Sequence, residues 1–361
     1  MSAHAIAPDD IVRTRAEAEG NAREPLVVLE PLIAFLDAQG LAPGAGDPSL
    51  APIGEGHSNV TYALTRGDSE LVLRRPPRGP LPPSAHDVLR EARVLRGLAG
   101  QARVPAVRAV CEDPGVIGAP FYVMERVAGD VVTSAVPPAL DSPEDRRRLG
   151  EELIDALVEI HAVDWRAAGL EGFGKPTGYL ERQVQRFTGL WEHNRTRDVP
   201  AVERVGRWLA ANLPESPPAT VVHGDFRLGN ALFGSAPPAR LAAVLDWEMS
   251  TIGDPLADLG YLSVFWIDRD DPPLGMFEVS SVTRQEGFAS RDELVARYEE
   301  RSGRPMTEVR WYRAMALWKL IVFMEGNYKR AMAGSTDDGF LKAFGEGITE
   351  LADRAEEATR G

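Results

Sequence analysis

The stretch His223-Gly224-Asp225-Phe226-Arg227-Leu228-Gly229-Asn230, followed by Asp246-Trp247-Glu248, decides how this chain reads. It has the form H-x-D-x-x-x-x-N and then D-x-x. A carboxylate placed beside a hydroxyl can take its proton. A carboxamide and a second carboxylate, both hard oxygen donors, suit a magnesium ion that neutralises phosphate charge. The flanks place these residues on structure. Val221-Val222 is a short apolar run that stops at His223, so Asp225 lies on a loop leaving a strand. Ala231-Leu232-Phe233 resumes the apolar character, residues 234–238 turn, and Leu241 to Leu245 delivers Asp246 at its end. Two short strands joined by a Gly/Pro turn predict a hairpin that brings Asp225, Asn230 and Asp246 to one edge. The plain alternative is a hairpin with three solvated polar residues, because Asp and Asn are common turn formers.

In this reading Asp225 is the general base and Asn230 and Asp246 are the magnesium ligands. His223 reads as a structural group bonded to nearby backbone, and Glu248 as either a metal contact or a turn cap. Gly54, Gly56, Ser58 and Asn59 form a glycine-bearing turn that would cover phosphates, since glycine lets backbone N–H groups approach oxygens closely. The same pattern occurs in ordinary hairpins; its place ahead of two strands favours the phosphate reading. On Leu71-Val72-Leu73-Arg74-Arg75 alternate residues share a face, so Val72 suits adenine packing and Arg74 phosphate contact. Glu91, on the helix that follows, is the natural partner for Arg74; the alternative is a surface arginine and an exposed glutamate. Asp258, one turn into the helix after Pro255, reads either as a brace for the Asp225 loop or as an ordinary polar helix position. Trp311, Tyr312, Met315, Trp318 and Phe323 recur at helical spacing, the mark of core, with room for a few to line an apolar acceptor pocket.

With 361 residues the chain has room for about two domains. Its net charge of −14 argues against nucleic acid or an anionic membrane as the main partner. Cys111 is the only cysteine, which excludes an intrachain disulfide and fits a reducing, cytoplasmic setting. The first 20 residues carry Asp9, Asp10, Glu17 and Glu19 without an apolar core, so no signal peptide is expected. The greasiest run, Leu317 to Met324, is interrupted by Lys319 and falls short of a bilayer span. Residues 1–24 read as loose or as a frayed helix and 26–39 as a helix, within an N-terminal extension spanning 1–48. Strands over 60–65, 71–75, 107–111 and 121–125, with a helix over 85–98, make a small lobe over 49–126. Helices over 146–162, 179–194, 201–212, 255–266 (Asp254 as its cap), 291–301, 309–332 and 340–357 fill the rest, 127–361.

These residues resemble the aminoglycoside phosphotransferase family of small-molecule kinases, from about Pro52 to Met332. Within it the strings around Asp225, Asp246 and Gly253-Asp254-Pro255-Leu256-Ala257-Asp258-Leu259 look like the kinase-like domain fused to some acyl-CoA dehydrogenases. Pro83 to His86, Glu112-Asp113-Pro114 and Phe121 to Glu125 add to that likeness. The resemblance implies an α+β, two-lobed protein-kinase-like fold, with ATP or GTP and Mg2+ bound in an interlobe cleft. It implies Met124, Glu125 and Val127 as the hinge edge beside the base. Arg74 stands where the family usually has lysine, and its planar fork contacts oxygens differently. Gly224 stands where H-R-D has arginine and no A-P-E motif follows Asp246, which argues against a protein kinase. The implied activity is ATP-dependent phosphorylation of a small-molecule hydroxyl, with hydroxyacyl chains or their CoA thioesters as acceptors. The alternatives are an aminoglycoside kinase and a non-catalytic nucleotide-binding scaffold. Neither the acceptor nor the oligomeric state is encoded legibly.

Overall fold

Alternating β-branched and aromatic residues set much of the first third of the chain into strands. The computed structural model describes residues 10–21, 23–54, 59–79, 86–273, 281–334 and 339–360. The chain divides into two compact units, residues 1–100 with 104–127, and residues 101–103 with 128–361.

The first unit begins with β1 (Ile11–Val12), α1 (Arg15–Glu19), β2 (Val27–Val28) and α2 (Leu29–Ala38). β1 and β2 pair in parallel. The helix expected over 26–39 therefore starts late, because β-branched Val27 and Val28 are taken by that pairing and amphipathic spacing takes over only from Leu29. Within the polar stretch read as loose or as a frayed helix, a short helix forms: Thr14 caps α1 by accepting from the Glu17 N–H at 3.1 Å. There follow β3 (Ser49–Pro52), β4 (Val60–Arg66), β5 (Ser69–Arg75), α3 (Val88–Leu98), β6 (Val107–Cys111) and β7 (Phe121–Glu125). These strands form a five-stranded antiparallel sheet in the order β3-β4-β5-β7-β6. Leu71, Leu73, Phe121 and Val123 join Leu32 and Leu36 of α2 in one buried cluster. Arg75 is buried among them; it donates to the carbonyls of Leu26 and Ile117, and desolvation lowers its guanidinium to about 10. That pin ties the N-terminal segment to the sheet. α3 starts three residues later than expected, with Asp87 accepting from Arg90 N–H at 3.0 Å as its cap.

The second unit comprises β8 (Asp130–Val131), α4 (Pro143–Ala162), α5 (Tyr179–Asn194), α6 (Pro200–Ala211), β9 (Thr220–Val222), β10 (Ala231–Phe233), β11 (Leu241–Val244), β12 (Thr251–Gly253), α7 (Leu256–Phe265), α8 (Arg291–Ser302), α9 (Val309–Met332) and α10 (Gly339–Ala358). β10 and β11 are the antiparallel hairpin expected from the sequence, with β8 added on the far side of β10. β9 pairs with β12, which anchors the chain just before His223. α9 is the central helix: Trp311, Tyr312, Met315 and Trp318 are buried, and the indoles of Trp311 and Trp318 donate to the carbonyls of Leu209 and Val202 at 3.1 and 2.9 Å. Phe323, from the same stripe, is 38% exposed. Among the described residues no helix is long and apolar enough to cross a membrane.

Candidate active site

The loop after β9 is built around a backbone turn that a side chain cannot occupy. Gly224 has φ +87°, and a Cβ there would lie 2.7 Å from the carbonyl oxygen of Met249. This explains why the arginine of an H-R-D motif has no place here. The turn leaves the N–H groups of His223 and Gly224 pointing the same way, and both donate to one carboxylate, Asp258 of α7, at 2.7 and 2.8 Å. Asp258 is 1% exposed. It takes a third bond from His161 of α4, whose Nε2 lies 3.3 Å from Oδ2 while Nδ1 faces the Tyr298 hydroxyl at 2.7 Å. The arrangement suits a neutral imidazole, donating through Nε2 and accepting at Nδ1. Burial lowers the His161 pKa against the pull of Asp258, and the bonds from His161 and the backbone outweigh burial to hold Asp258 ionised. Of the two sequence readings for Asp258, the brace is the one the structure carries.

His223 is fully buried and ties the loop to the hairpin. Its Nε2 meets the Leu245 carbonyl at 2.9 Å and its Nδ1 accepts from the Asp225 N–H at 3.2 Å. Such a ring is a structural strut. Asn230, 7% exposed, donates through Nδ2 to both the carbonyl and the carboxylate of Asp225, each at 2.8 Å. The amide nitrogen is thereby committed, leaving Oδ1 as the atom it can offer a cation. The Asn230 carbonyl in turn accepts from Leu245 N–H at 2.8 Å, one residue before Asp246. Asp246 sits just beyond β11 with φ +65°, a left-handed conformation that Asp tolerates better than most residues. Trp247 fixes that corner by donating to the Val244 carbonyl at 2.9 Å. Glu248 is half-buried on the single turn of 3-10 helix that follows.

The Asp225 carboxylate is itself 23% exposed, and Arg227 Nε stands 3.5 Å from it. Burial, with the Asp225 charge next, pushes the phenol of Tyr261 on α7 well above its ordinary pKa. Tyr261 stacks with Phe265 at 4.8 Å. The motif reading missed Tyr261; its spacing of three from Asp258 was the available signal, because residues i and i+3 share a helix face. His161 was missed too, and nothing local marks it.

In the first unit, Arg74 Nε donates to Glu91 Oε2 at 2.8 Å and its Nη1 to Thr61 Oγ1 at 3.1 Å. Glu91 is 2% exposed and buried in α3, so this is a built pair and not two surface charges. Asn59 Nδ2 approaches the same Glu91 oxygen at 3.5 Å, while Asn59 Oδ1 is buried with no partner among the described residues. Val72 lies opposite Met124 in the β5–β7 ladder, and Arg74 opposite Tyr122. Leu71 and Leu73 occupy the core face, so Val72, Met124 and Arg74 share the other. Glu125 accepts from Ala106 N–H and from Arg108, both at 3.0 Å, and Val127 ends the unit. Gly54 has φ +80°. Gly56 and Ser58 lie outside the described residues.

The order of strands and helices in the two units is that of a kinase-like α+β fold. The phosphotransferase enzyme family model (APH) matches residues 49–312, and the chain belongs to that family. Acyl-CoA dehydrogenase family member 10 of Mus musculus is 36% identical over 313 residues, covering 85% of this chain and 29% of that protein. The chain thus spans under a third of that relative's length. A solved Ralstonia eutropha structure, provisionally assigned as an aminoglycoside phosphotransferase, matches with TM-score 0.79 and 31% identity over 92% of this chain and 98% of that one. Aminoglycoside phosphotransferase APH(4)-Ia, solved as a thermostable mutant with AMP-PNP and hygromycin B, matches with TM-score 0.57 and 17% identity. That likeness covers 91% of this chain and 98% of the other and shows the fold alone.

Proposed function

We propose that the chain transfers the γ-phosphoryl group of ATP to a hydroxyl of a small molecule, with a hydroxyacyl chain or hydroxyacyl-CoA as acceptor. The observation that carries the reading is Asp225: a partly exposed carboxylate, oriented by Asn230 on a loop whose backbone is braced by Asp258. Phosphoryl transfer asks the protein mainly to position groups and to stabilise charge, so a fixed carboxylate suffices to orient and accept the acceptor proton. Asn230 Oδ1 and the Asp246 carboxylate would hold magnesium. Two oxygen donors fit it, because in nucleotide sites phosphates and water complete the shell. Bound there, the ion supplies neutralisation of phosphate charge.

On the nucleotide side, Val72, Met124, Glu125 and Val127 would border the base, Arg74 held by Glu91 would contact phosphate, and Gly54, Gly56, Ser58 and Asn59 would cover it. The acceptor class rests on the similarity to acyl-CoA dehydrogenase family member 10, with which this chain shares 36% of aligned residues. The cytoplasm suits such a reaction. The test is incubation with Mg-ATP, and separately Mg-GTP, over a panel of hydroxyacyl-CoAs, hydroxy acids and aminoglycosides, read by mass spectrometry. Phosphorylated hydroxyacyl product that disappears with Asp225→Asn supports the reading. Phosphorylated aminoglycoside alone would overturn the acceptor class, and nucleotide binding without any product would favour a scaffold.

A further inference from the structure

Arg227 lies two residues past the candidate base, on the same braced loop, and is half-buried. Its Nε stands 3.5 Å from Asp225 Oδ1. Among the described residues it is the only cation within ion-pair distance of that carboxylate, and its guanidinium donates no hydrogen bond. A guanidinium carries five N–H donors in a planar fork. Other half-buried or buried arginines of this chain commit theirs: Arg74 to Glu91 and Thr61, Arg75 to the carbonyls of Pro76, Leu26 and Ile117. Arg227 keeps its fork uncommitted beside a carboxylate placed to do chemistry.

That fork is nonetheless seated. Its Cζ lies 5.7 Å from the ring centroid of Phe265, a cation–π contact, and Phe265 stacks in turn on Tyr261. Both rings are half-buried on α7, the helix whose Asp258 holds the loop. On its other side the guanidinium lies against Gly229, where a Cβ would fall 2.5 Å from Nη1 and 3.3 Å from Cζ. Gly229 immediately precedes Asn230, so the fork runs along the loop from the base towards the candidate metal ligand. An acceptor oxygen must come within about 3 Å of Asp225 to give up its proton, and the phosphorus it attacks lies about 3–3.5 Å further on. The phosphoryl group therefore passes within about 7 Å of the carboxylate, the zone in which this guanidinium sits.

Resting on the phosphotransferase reading above, we propose that Arg227 is a catalytic residue that binds the oxygens of the phosphoryl group during transfer. In that step the bond from the γ-phosphorus to the ADP oxygen breaks and a bond to the acceptor oxygen forms. The acceptor proton passes to Asp225, and Arg227 neither gains nor loses one. Its fork hydrogen-bonds the charge spread over the phosphoryl oxygens, which a point charge does less well.

The probe is Mg-ADP with and without fluoroaluminate, a stand-in for the phosphoryl group in transfer, titrated calorimetrically into the full chain and into Arg227→Met. Methionine keeps an apolar stem against Phe265 and removes the charge and the donors. ADP has no γ-phosphoryl group, so its affinity is expected to agree within about twofold between the two proteins, which also shows that the variant is folded. Fluoroaluminate is expected to tighten ADP binding by at least about a hundredfold in the wild type and by at least about tenfold less in Arg227→Met. Arg227→Lys, with the charge but not the fork, should recover part of the difference. An equal gain in wild type and Arg227→Met overturns the proposal and leaves the phosphotransferase reading standing. Failure of the wild type to bind Mg-ADP overturns both.

A second measurement separates the phosphoryl group from an anionic group on the acceptor. With an acceptor that the wild type phosphorylates, Arg227→Met is expected to lower kcat by roughly 10³ while the acceptor KM stays within about threefold. A raised acceptor KM with kcat unchanged would place the guanidinium on the acceptor instead and overturn the assignment.

Discussion

In the second unit one carboxylate, Asp258, accepts two backbone N–H bonds and a histidine and so fixes the loop that carries Asp225. In the first, Glu91 accepts from Arg74 and lies near Asn59, fixing one side chain on a strand already set by its ladder. Both anchors are buried, at 1% and 2% exposed, yet they hold different things. Asp258 holds backbone that would otherwise have no partner, because the residues after β9 leave the sheet. Glu91 holds side chains, the Arg74 guanidinium above all. Removing the first should release a loop, and removing the second should free a rotamer. A loop that must present a base, a metal ligand and their neighbours together needs bracing from outside itself.

The largest loss of stability is therefore expected from Asp258→Ala, which strands the buried His223 N–H, the part-buried Gly224 N–H and His161. Urea unfolding should show a cost of roughly 3–5 kcal/mol. Asp258→Asn keeps one acceptor oxygen and should cost about half as much. A cost below about 1 kcal/mol would mean that the loop holds itself.

Arg74→Ala comes next, at about 2 kcal/mol, because it leaves Glu91 buried without that cation while the strand stays paired. Arg74→Lys keeps a point charge and should lose less than about 1 kcal/mol in the same assay. If Arg74→Ala proved as damaging as Asp258→Ala, the contrast between loop and rotamer would collapse.

Lys319→Met should act in the opposite sense and stabilise the protein by about 1–2 kcal/mol at pH 7. The folded pKa of Lys319 is about 8 against an ordinary 10.5, so the folded state holds this proton less tightly than the unfolded chain. The penalty is full below pH 8 and fades as the pH rises towards 10.5. Unfolding at pH 7 and pH 10 should accordingly show a gain from the substitution that shrinks at the higher pH.

The smallest effect belongs to His161, whose pKa is lowered by burial below the ordinary 6.5. The unfolded chain takes up a proton there as pH falls through 6.5, and the folded protein resists it. Stability from this group is present above pH 6.5 and is lost below, by about 1 kcal/mol between pH 6.5 and 5.5. His161→Gln should flatten that part of the pH dependence; an unchanged slope would show that the imidazole is charged in the fold.

Much of this was legible in the sequence where periodicity and spacing speak. The strands over 107–111 and 121–125 and the helices over 179–194 and 309–332 have the ends the pattern gave. The β10–β11 hairpin followed from its Gly/Pro turn, and the Arg74–Glu91 pair from strand alternation. The strand at Val27–Val28 was hidden because its partner lies in a polar segment with only Ile11 and Val12 to mark it. His161 was invisible for a different reason: it meets Asp258 across 97 residues, and no local period reports a contact of that range. Lys319 read as an interruption of an apolar run, since burial of a lone charge is decided by what packs around it.

The most direct test of the account is a comparison of Asp225→Asn with the wild type, measuring Mg-ATP affinity and single-turnover phosphoryl transfer on the same samples. The account predicts nucleotide affinity within about threefold of wild type and a transfer rate lower by roughly 10²–10⁴, the range a positioned general base supplies. Transfer at the wild-type rate would contradict it, because Asp225 would then be only one more polar residue in a turn.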